Sequence, residues 1–318
     1  MSRVHRTAHR MVVASPAGVA YGLLADAVRW PIFFPHHIHV EQLDFDGRRQ
    51  RLRIWVSAAG EIRSWMVVRT LDAARRQVEF RLELSAEPVN AVVGSWSVEP
   101  LGSGHARVVL RHHFLVAGDA ADEVAWAMQA IELNSQVELA QLKSLAARWD
   151  RLDDLVLTCE DSVRINGPVE RVYEFFYRAG HWPRWVPHIT SVHLRERQPG
   201  IQTMAMDIRA PDSILCRSQS VRIGFPHAGR IVYKDTTMPP LMAAHTGEWS
   251  FESEPHGVRV VSHHQVVLEE DAVSRLLGAH ADLAGVRQRV RERLGRSSLA
   301  AMNLAKKLTE RTDLPSPT

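Results

Sequence analysis

The residues best suited to chemistry are two histidines set in apolar strand patterns. Over 107–116, one alternating face carries Val108, Leu110, His112, Phe114 and Val116, and the other carries Val109, Arg111, His113 and Leu115. The first face is the more apolar and is expected to point inward. A second stretch repeats this, with Val260, Ser262, His264, Val266 and Leu268 on one face and His264 aligned with His112. An inward histidine is either a core residue satisfied by one hydrogen bond or a proton carrier. Burial disfavours the charged form and leaves a neutral imidazole able to take or give a proton near pH 7.

Other residues offer binding chemistry. Trp65 and Arg69 share a face of the strand pattern over 61–71, with Val67 between them. That pairing is either a surface cation–π contact or an anchor for an anionic or enolate oxygen. Trp30, Trp96, Trp182 and Trp249 occupy matched places and serve either as core packing or as a flat wall for a conjugated ligand. Arg287, Arg289, Arg291, Arg293 and Arg296 form a basic run, either a solvated face or a docking site for an acidic partner.

These residues are positioned by a repeat. The string Trp-Pro-Ile-Phe-Phe-Pro-His at 30–36 returns as Trp-Pro-Arg-Trp-Val-Pro-His at 182–188, a spacing of 152 residues in a chain of 318. That length fits two domains, expected at 1–150 and 155–313, each large enough to bury its own core. In the first copy, 3–14 reads as a strand and Ser15-Pro16 as a helix start with Ser15 as N-cap. The prolines of 30–36 argue for a fixed irregular aromatic loop. Strands follow at 51–58, 61–71, 77–84, 95–99 and 107–116, and 119–149 reads as one long amphipathic helix. In the second copy the last helix is expected over 271–311.

Composition sets bounds. A net charge of +3 does not argue for nucleic acid. No apolar run is long enough to span a membrane and no secretion signal is apparent, so a cytoplasmic protein is expected. Cys159 and Cys216 read as free thiols of a reducing compartment. The 17 histidines show no HExxH or CxxC pattern, so neither a metal nor another cofactor is expected.

The Trp-Pro-x-aromatic-x-Pro-His loop, the Gly-x-Trp-Ser strand (Gly94 and again Gly247) and the long last helix resemble the polyketide cyclase/aromatase branch of the START/Bet v 1-like superfamily. Two copies in one chain resemble the di-domain aromatase/cyclases of bacterial type II polyketide synthases. The resemblance implies an α+β fold of two tandem helix-grip domains, each a curved antiparallel sheet around a long C-terminal helix with an interior pocket. It implies action on a poly-β-ketone, already reduced at one ketone and held on acyl carrier protein. The chemistry would be closure of the first ring, then dehydration to an aromatic one. Non-catalytic carriage of a hydrophobic ligand is the alternative on the same fold.

Carried over residue by residue, the resemblance implies Arg69 as the pocket arginine stabilising an enolate, His112 as the acid–base, and Asn134 as the helix residue orienting a carbonyl or water. His264 is the counterpart of His112. Trp30, His36, Trp65 and Trp96, with Trp182, His188, Gln219 and Trp249 in the second copy, would bind substrate. A gapless offset of 152 sets Arg217 against Trp65 and Val221 against Arg69, so the second pocket is expected to lack the arginine. Carrier-protein docking is expected at Arg287 and Arg291.

Overall fold

The computed structural model describes residues 3–58, 60–83, 89–186, 189–209, 215–277 and 282–311. The chain divides into two compact units, Met1–Leu152 and Asp153–Thr318. Each is described by itself.

In the N-terminal unit, strand β1 (His5–Val13) leads into helix α1 (Ala17–Ala25), a 3-10 turn (Ala27–Arg29) and a one-turn helix α2 (Trp30–Phe33). Six strands follow: β2 (His37–Phe45), β3 (Arg49–Ala58), β4 (Glu61–Asp72), β5 (Gln77–Leu82), β6 (Val89–Pro100) and β7 (Ala106–Val116). The long helix α3 (Ala121–Ala146) closes the unit, and a single turn α4 (Leu152–Leu155) marks the junction. The sheet is antiparallel in the order β1-β7-β6-β5-β4-β3-β2. Helix α3 packs on β1 and β7 and buries Ala127, Leu139, Leu142, Leu145 and Ala146. The C-terminal unit repeats the plan with β8 (Val156–Ile165), α5 (Val169–Tyr177), β9 (Ile189–Gln198), β10 (Ile201–Arg209), β11 (Leu215–Phe225), β12 (Arg230–Asp235), β13 (Met242–Glu254) and β14 (Gly257–Leu268). Its sheet order is β8-β14-β13-β12-β11-β10-β9. The expected α+β fold of two tandem units, each an antiparallel sheet holding a long helix, is borne out.

Three expectations need correction. Ser15 caps nothing: Pro16 occupies the N-cap of α1, and the fully buried Ser15 hydroxyl has no partner from the protein. The 30–36 segment is not wholly irregular, because Pro31 falls in the first turn of α2, where its missing N–H is harmless. The last helix is two helices, α6 (Glu270–Leu277) and α7 (Leu283–Glu310). The second starts afresh because the Asp282 carboxylate accepts from the backbone N–H of Ala284 and Gly285 at 3.0 and 3.1 Å.

The repeated tryptophan has a local reason. A helix ends with unsatisfied carbonyls. At the end of α1 the Trp30 indole N–H donates to Leu23 O at 3.2 Å, and the Arg69 guanidinium donates to Leu24 O and, at 3.2 Å, to Ala25 O. Arg69 also donates to Gln50 Oε1 at 3.1 Å, and its guanidinium lies 4.8 Å from the Trp30 ring centroid. At the end of α5 the same pattern recurs. Trp182 donates to Phe175 O at 3.1 Å, while Arg222 donates to Phe176 O, Tyr177 O and Gln202 Oε1. Both arginines are 2 % exposed. Burial pulls each guanidinium down to about 10, which still leaves it charged at neutral pH.

Arg69→Met and Arg222→Met each orphan two helix-end carbonyls and a glutamine oxygen, which predicts a loss of about 3 kcal/mol or more. Urea midpoints of the full-length variants check this. For Arg69→Met, an unchanged midpoint with lost turnover would instead assign Arg69 to the substrate.

Candidate functional site

One row of inward side chains crosses each sheet. In the N-terminal unit, Gln50, Arg69, Phe80, Gly94, His112 and Thr7 stand opposite one another on successive strands. In the C-terminal unit the row is Gln202, Arg222, Tyr233, Gly247, His264 and Cys159. His112 and His264 therefore do share one inward position. The glycine of Gly-x-Trp-Ser leaves space for the ring beside it. A Cβ on Gly94 would meet Phe80 at 2.3 Å, and one on Gly247 would meet Tyr233 at 2.3 Å. Each ring lies over its glycine and reaches the histidine, with centroids 5.5 Å apart for Phe80–His112 and 6.4 Å for Tyr233–His264.

The N-terminal unit holds a cleft of about 110 Å³ between the loop after α2, strands β3 and β4, and helix α3. His36, Val56, Trp65, Asn134, Glu138 and Gln141 line it. His36 and Asn134 are exposed at its rim. Glu138 is the residue that sequence reasoning missed. Part of its side chain reaches the surface, yet the carboxyl is packed around by protein, and those surroundings govern its ionisation. Burial pushes the carboxyl up to about 7. A larger groove of about 520 Å³ lies on the outer face of the same sheet, lined by Arg49, Thr70, Glu79, Arg81, Arg111 and His113 among others. It offers charge but no enclosed acid–base group.

In the C-terminal unit, His264 belongs to a buried network. Its Nδ1 lies 3.1 Å from the Tyr233 hydroxyl and 3.0 Å from His245 Nε2. The other nitrogen of His245, Nδ1, lies 2.8 Å from Asp235 Oδ2. His264 Nε2 lies 2.7 Å from Ser298 Oγ and 3.0 Å from Ser262 Oγ. Burial, then the neighbouring His245, His263 and Arg291, pushes His264 down to about 3. His112 is pushed down to about 4 by burial, then by His9 and His113, and its Nδ1 has no partner from the protein.

The cleft brings together His36, Trp65 and Asn134 of the expected residues. The rest stand elsewhere. Arg69 is turned to the end of α1 and lies outside the cleft, as do Trp30 and His112. Trp96, Trp182 and Trp249 are core residues, with Trp249 packed 4.6 Å from Phe176. His188 lies outside the described residues. Gln219 is exposed on the outer face, because β11 sits one residue later than a gapless offset implies. The same slip overturns the pairing of Val221 with Arg69. Arg222 is the true counterpart, so the second unit keeps the arginine, and Arg217 pairs outside with Asp207 at 2.9 Å. Arg287 donates to the carbonyls of Asp154 and Val156, and Arg291 grips Asp161 through two bonds of 2.9 and 2.8 Å. Both are tied to their own unit rather than free for docking.

Two sequence profiles described as "Polyketide cyclase / dehydrase and lipid transport" match residues 13–138 and 157–300. The chain is 36% identical over 309 residues to the granaticin polyketide synthase bifunctional cyclase/dehydratase of Streptomyces violaceoruber, covering 97% of this chain and 95% of that one. It is 33% identical to the actinorhodin polyketide synthase bifunctional cyclase/dehydratase of Streptomyces coelicolor, with 95% and 96% covered. The chain belongs to the polyketide cyclase/dehydrase family. The crystal structure of the di-domain ARO/CYC BexL, from the BE-7585A biosynthetic pathway, superposes with a TM-score of 0.87 at 39% identity over 98% of this chain and all of that one. StfQ, a di-domain ARO/CYC from the steffimycin pathway, gives 0.82 at 26% identity, over 96% and 98% of the two chains. The expected family and enzyme class agree with these relatives.

Within this polyketide cyclase/dehydrase fold, Glu138 makes a stability prediction. The folded state keeps its proton up to about pH 7, whereas the unfolded chain releases it near 4.5. More protons are bound in the folded state over that window, so this group's contribution to stability falls as pH rises through it. Glu138→Gln should match wild type at pH 4 and exceed it by up to about 3 kcal/mol at pH 8, read from denaturant midpoints across pH.

Proposed function

We propose that the protein acts in aromatic polyketide biosynthesis as a cyclase/dehydratase with its first acid–base centre in the N-terminal cleft. The substrate is a poly-β-ketone, reduced at one ketone and carried on acyl carrier protein in the cytoplasm. The observation that supports this most is Glu138, a carboxyl raised to about 7 inside a cleft walled by Trp65 and rimmed by Asn134 and His36. A proton-transfer group works best when its pKa lies near the operating pH. Glu138 meets that condition, and His112 at about 4 does not.

The cleft volume of about 110 Å³ is close to the ~150 Å³ cavity known to hold one benzene ring. It suits one nascent ring rather than a whole chain. In ring closure an enol carbon attacks a ketone carbon, a C–C bond forms, and the ketone oxygen takes a proton. Protonated Glu138 supplies that proton and is left as carboxylate. The attacking enol gives its O–H proton to water as its C=O re-forms. The Glu138 carboxylate then takes the C–H proton beside that carbonyl, and the carboxyl so regenerated gives a proton to the new hydroxyl, which departs as water; Glu138 recovers its proton from solvent. Asn134 and Gln141 orient the oxygens, and the Trp65 ring restricts the fold of the chain, which selects the bond that forms. Arg69 serves this site indirectly, by fixing α1 and the loop that carries His36. Acyl carrier protein is acidic-patch chemistry in this reading. Arg289 and Arg293 are exposed on α7 and replace Arg287 and Arg291 as its contacts.

The test is reconstitution with a minimal polyketide synthase and ketoreductase, products read by mass spectrometry. Wild-type protein should shift the profile to a product one water lighter with an aromatic first ring. Glu138→Gln should lower that product's rate about 100-fold or more, with a folded protein. The wild-type rate should fall above about pH 7, a limb that the variant lacks. Wild-type rates from Glu138→Gln would move the chemistry out of this cleft.

A further inference from the structure

The C-terminal unit carries a second constellation that the cleft does not use. Its hydrogen bonds fit a single direction. Ser262 donates to Ser298 Oγ at 3.0 Å. With the ring proton on Nδ1 of both His264 and His245, Ser298 donates to His264 Nε2, His264 Nδ1 donates to His245 Nε2, and His245 Nδ1 donates to the Asp235 carboxylate. In this arrangement each of the two histidines uses one ring nitrogen as donor and the other as acceptor, so all four ring nitrogens have a partner. The outer end is the Asp235 carboxyl, whose side chain is 17% exposed, and the inner end is the fully buried Ser262.

The fold does not require these groups. Asp235 is paired in register with Ser220, His245 with Val266, and Ser262 with Trp249. The same places in the N-terminal unit hold Leu82 opposite Val67, Val92 opposite Phe114, and Leu110 opposite Trp96. Three apolar positions of one unit are polar in the other. Burying polar groups is unfavourable unless all are satisfied, and replacing them by apolar groups of similar shape is often neutral or stabilising. A network assembled in one copy only therefore points to chemistry.

We propose that Asp235, His245, His264 and Ser298 form a proton relay that makes the C-terminal unit a second acid–base centre, acting on carbonyl and hydroxyl groups of the polyketide. The inference rests on the polyketide reading above. A substrate proton passes to Ser298 Oγ as the Ser298 proton moves to His264 Nε2 and the His264 Nδ1 proton moves to His245 Nε2. His245 becomes an imidazolium held by Asp235. The reverse sequence returns a proton to a ketone oxygen or a departing hydroxyl, and no other reactant is needed. Met204 and Met206, inward on β10 and only partly buried, are unbranched side chains that re-pack readily around a guest.

The experiment uses full-length Ser298→Ala, Asp235→Asn and His245→Gln beside Glu138→Gln in the reconstituted system. Each relay variant should slow product formation about 100-fold and accumulate an intermediate different from that of Glu138→Gln. Ser298→Ala removes one oxygen only, which keeps the test valid if His245→Gln fails to fold. Low-field imidazole N–H resonances should mark the His245–His264 bond in wild type, shift in Ser298→Ala and disappear in His245→Gln. Wild-type rates and products from folded relay variants, beside an impaired Glu138→Gln, would overturn the relay alone. A product profile that the wild-type protein itself leaves unchanged would overturn the polyketide reading, and the relay with it.

Discussion

A buried guanidinium at the end of a short helix is the interaction on which each unit depends. Arg69 and Arg222 close the carbonyl ends of α1 and α5 with help from Trp30 and Trp182. A positive charge at a helix C-terminus is favourable, and more so where water is excluded. The partner glutamine sits one strand away, so the same side chain also ties the helix to the sheet. In the N-terminal unit the tryptophan starts α2, and the loop after α2 supplies the rim of the cleft. Fixing the helix end therefore fixes one wall of the site.

On this common frame the two units put different chemistry at matching points. The N-terminal unit leaves the Nδ1 of His112 without a partner from the protein and carries its raised carboxyl, Glu138, on the helix. The C-terminal unit places Asp235, His245 and Ser262 on the sheet around His264 and adds Ser298 from helix α7. Desolvation drives both patterns in the same direction, holding imidazoles neutral and, in the N-terminal unit, a carboxyl protonated.

Much of this was legible in the sequence where period and repetition carry information. The alternation over 107–116 places His112 inward, and the second copy places His264 with it. His245 and Asp235 follow the same rule, since His245 shares a face with Gly247 and Trp249, and Asp235 with Ile231 and Tyr233. The slip in β11 also left a trace. Gly247 follows Gly94 by 153 residues rather than 152, and the extra residue lies between Gln202 and Arg222. Other features have no local signature. Glu138 on a helix with Glu132 reads as a solvated acid until the loop after α2 and Trp65 close over it. Trp30 reads as a binding wall because the carbonyls it caps are identified only once the chain has turned back.

The glycine slot shared by the two sheets has a wider consequence. Because Gly94 and Gly247 leave the backbone undisturbed, the aromatic lying over each can differ by one hydroxyl at almost no structural cost. With Phe80, His112 keeps a ring nitrogen unsatisfied, whereas the Tyr233 hydroxyl gives His264 Nδ1 a partner beside His245. The slot is thus an adjustable setting for histidine reactivity. A gene carrying two copies of it can change one while the other remains in service.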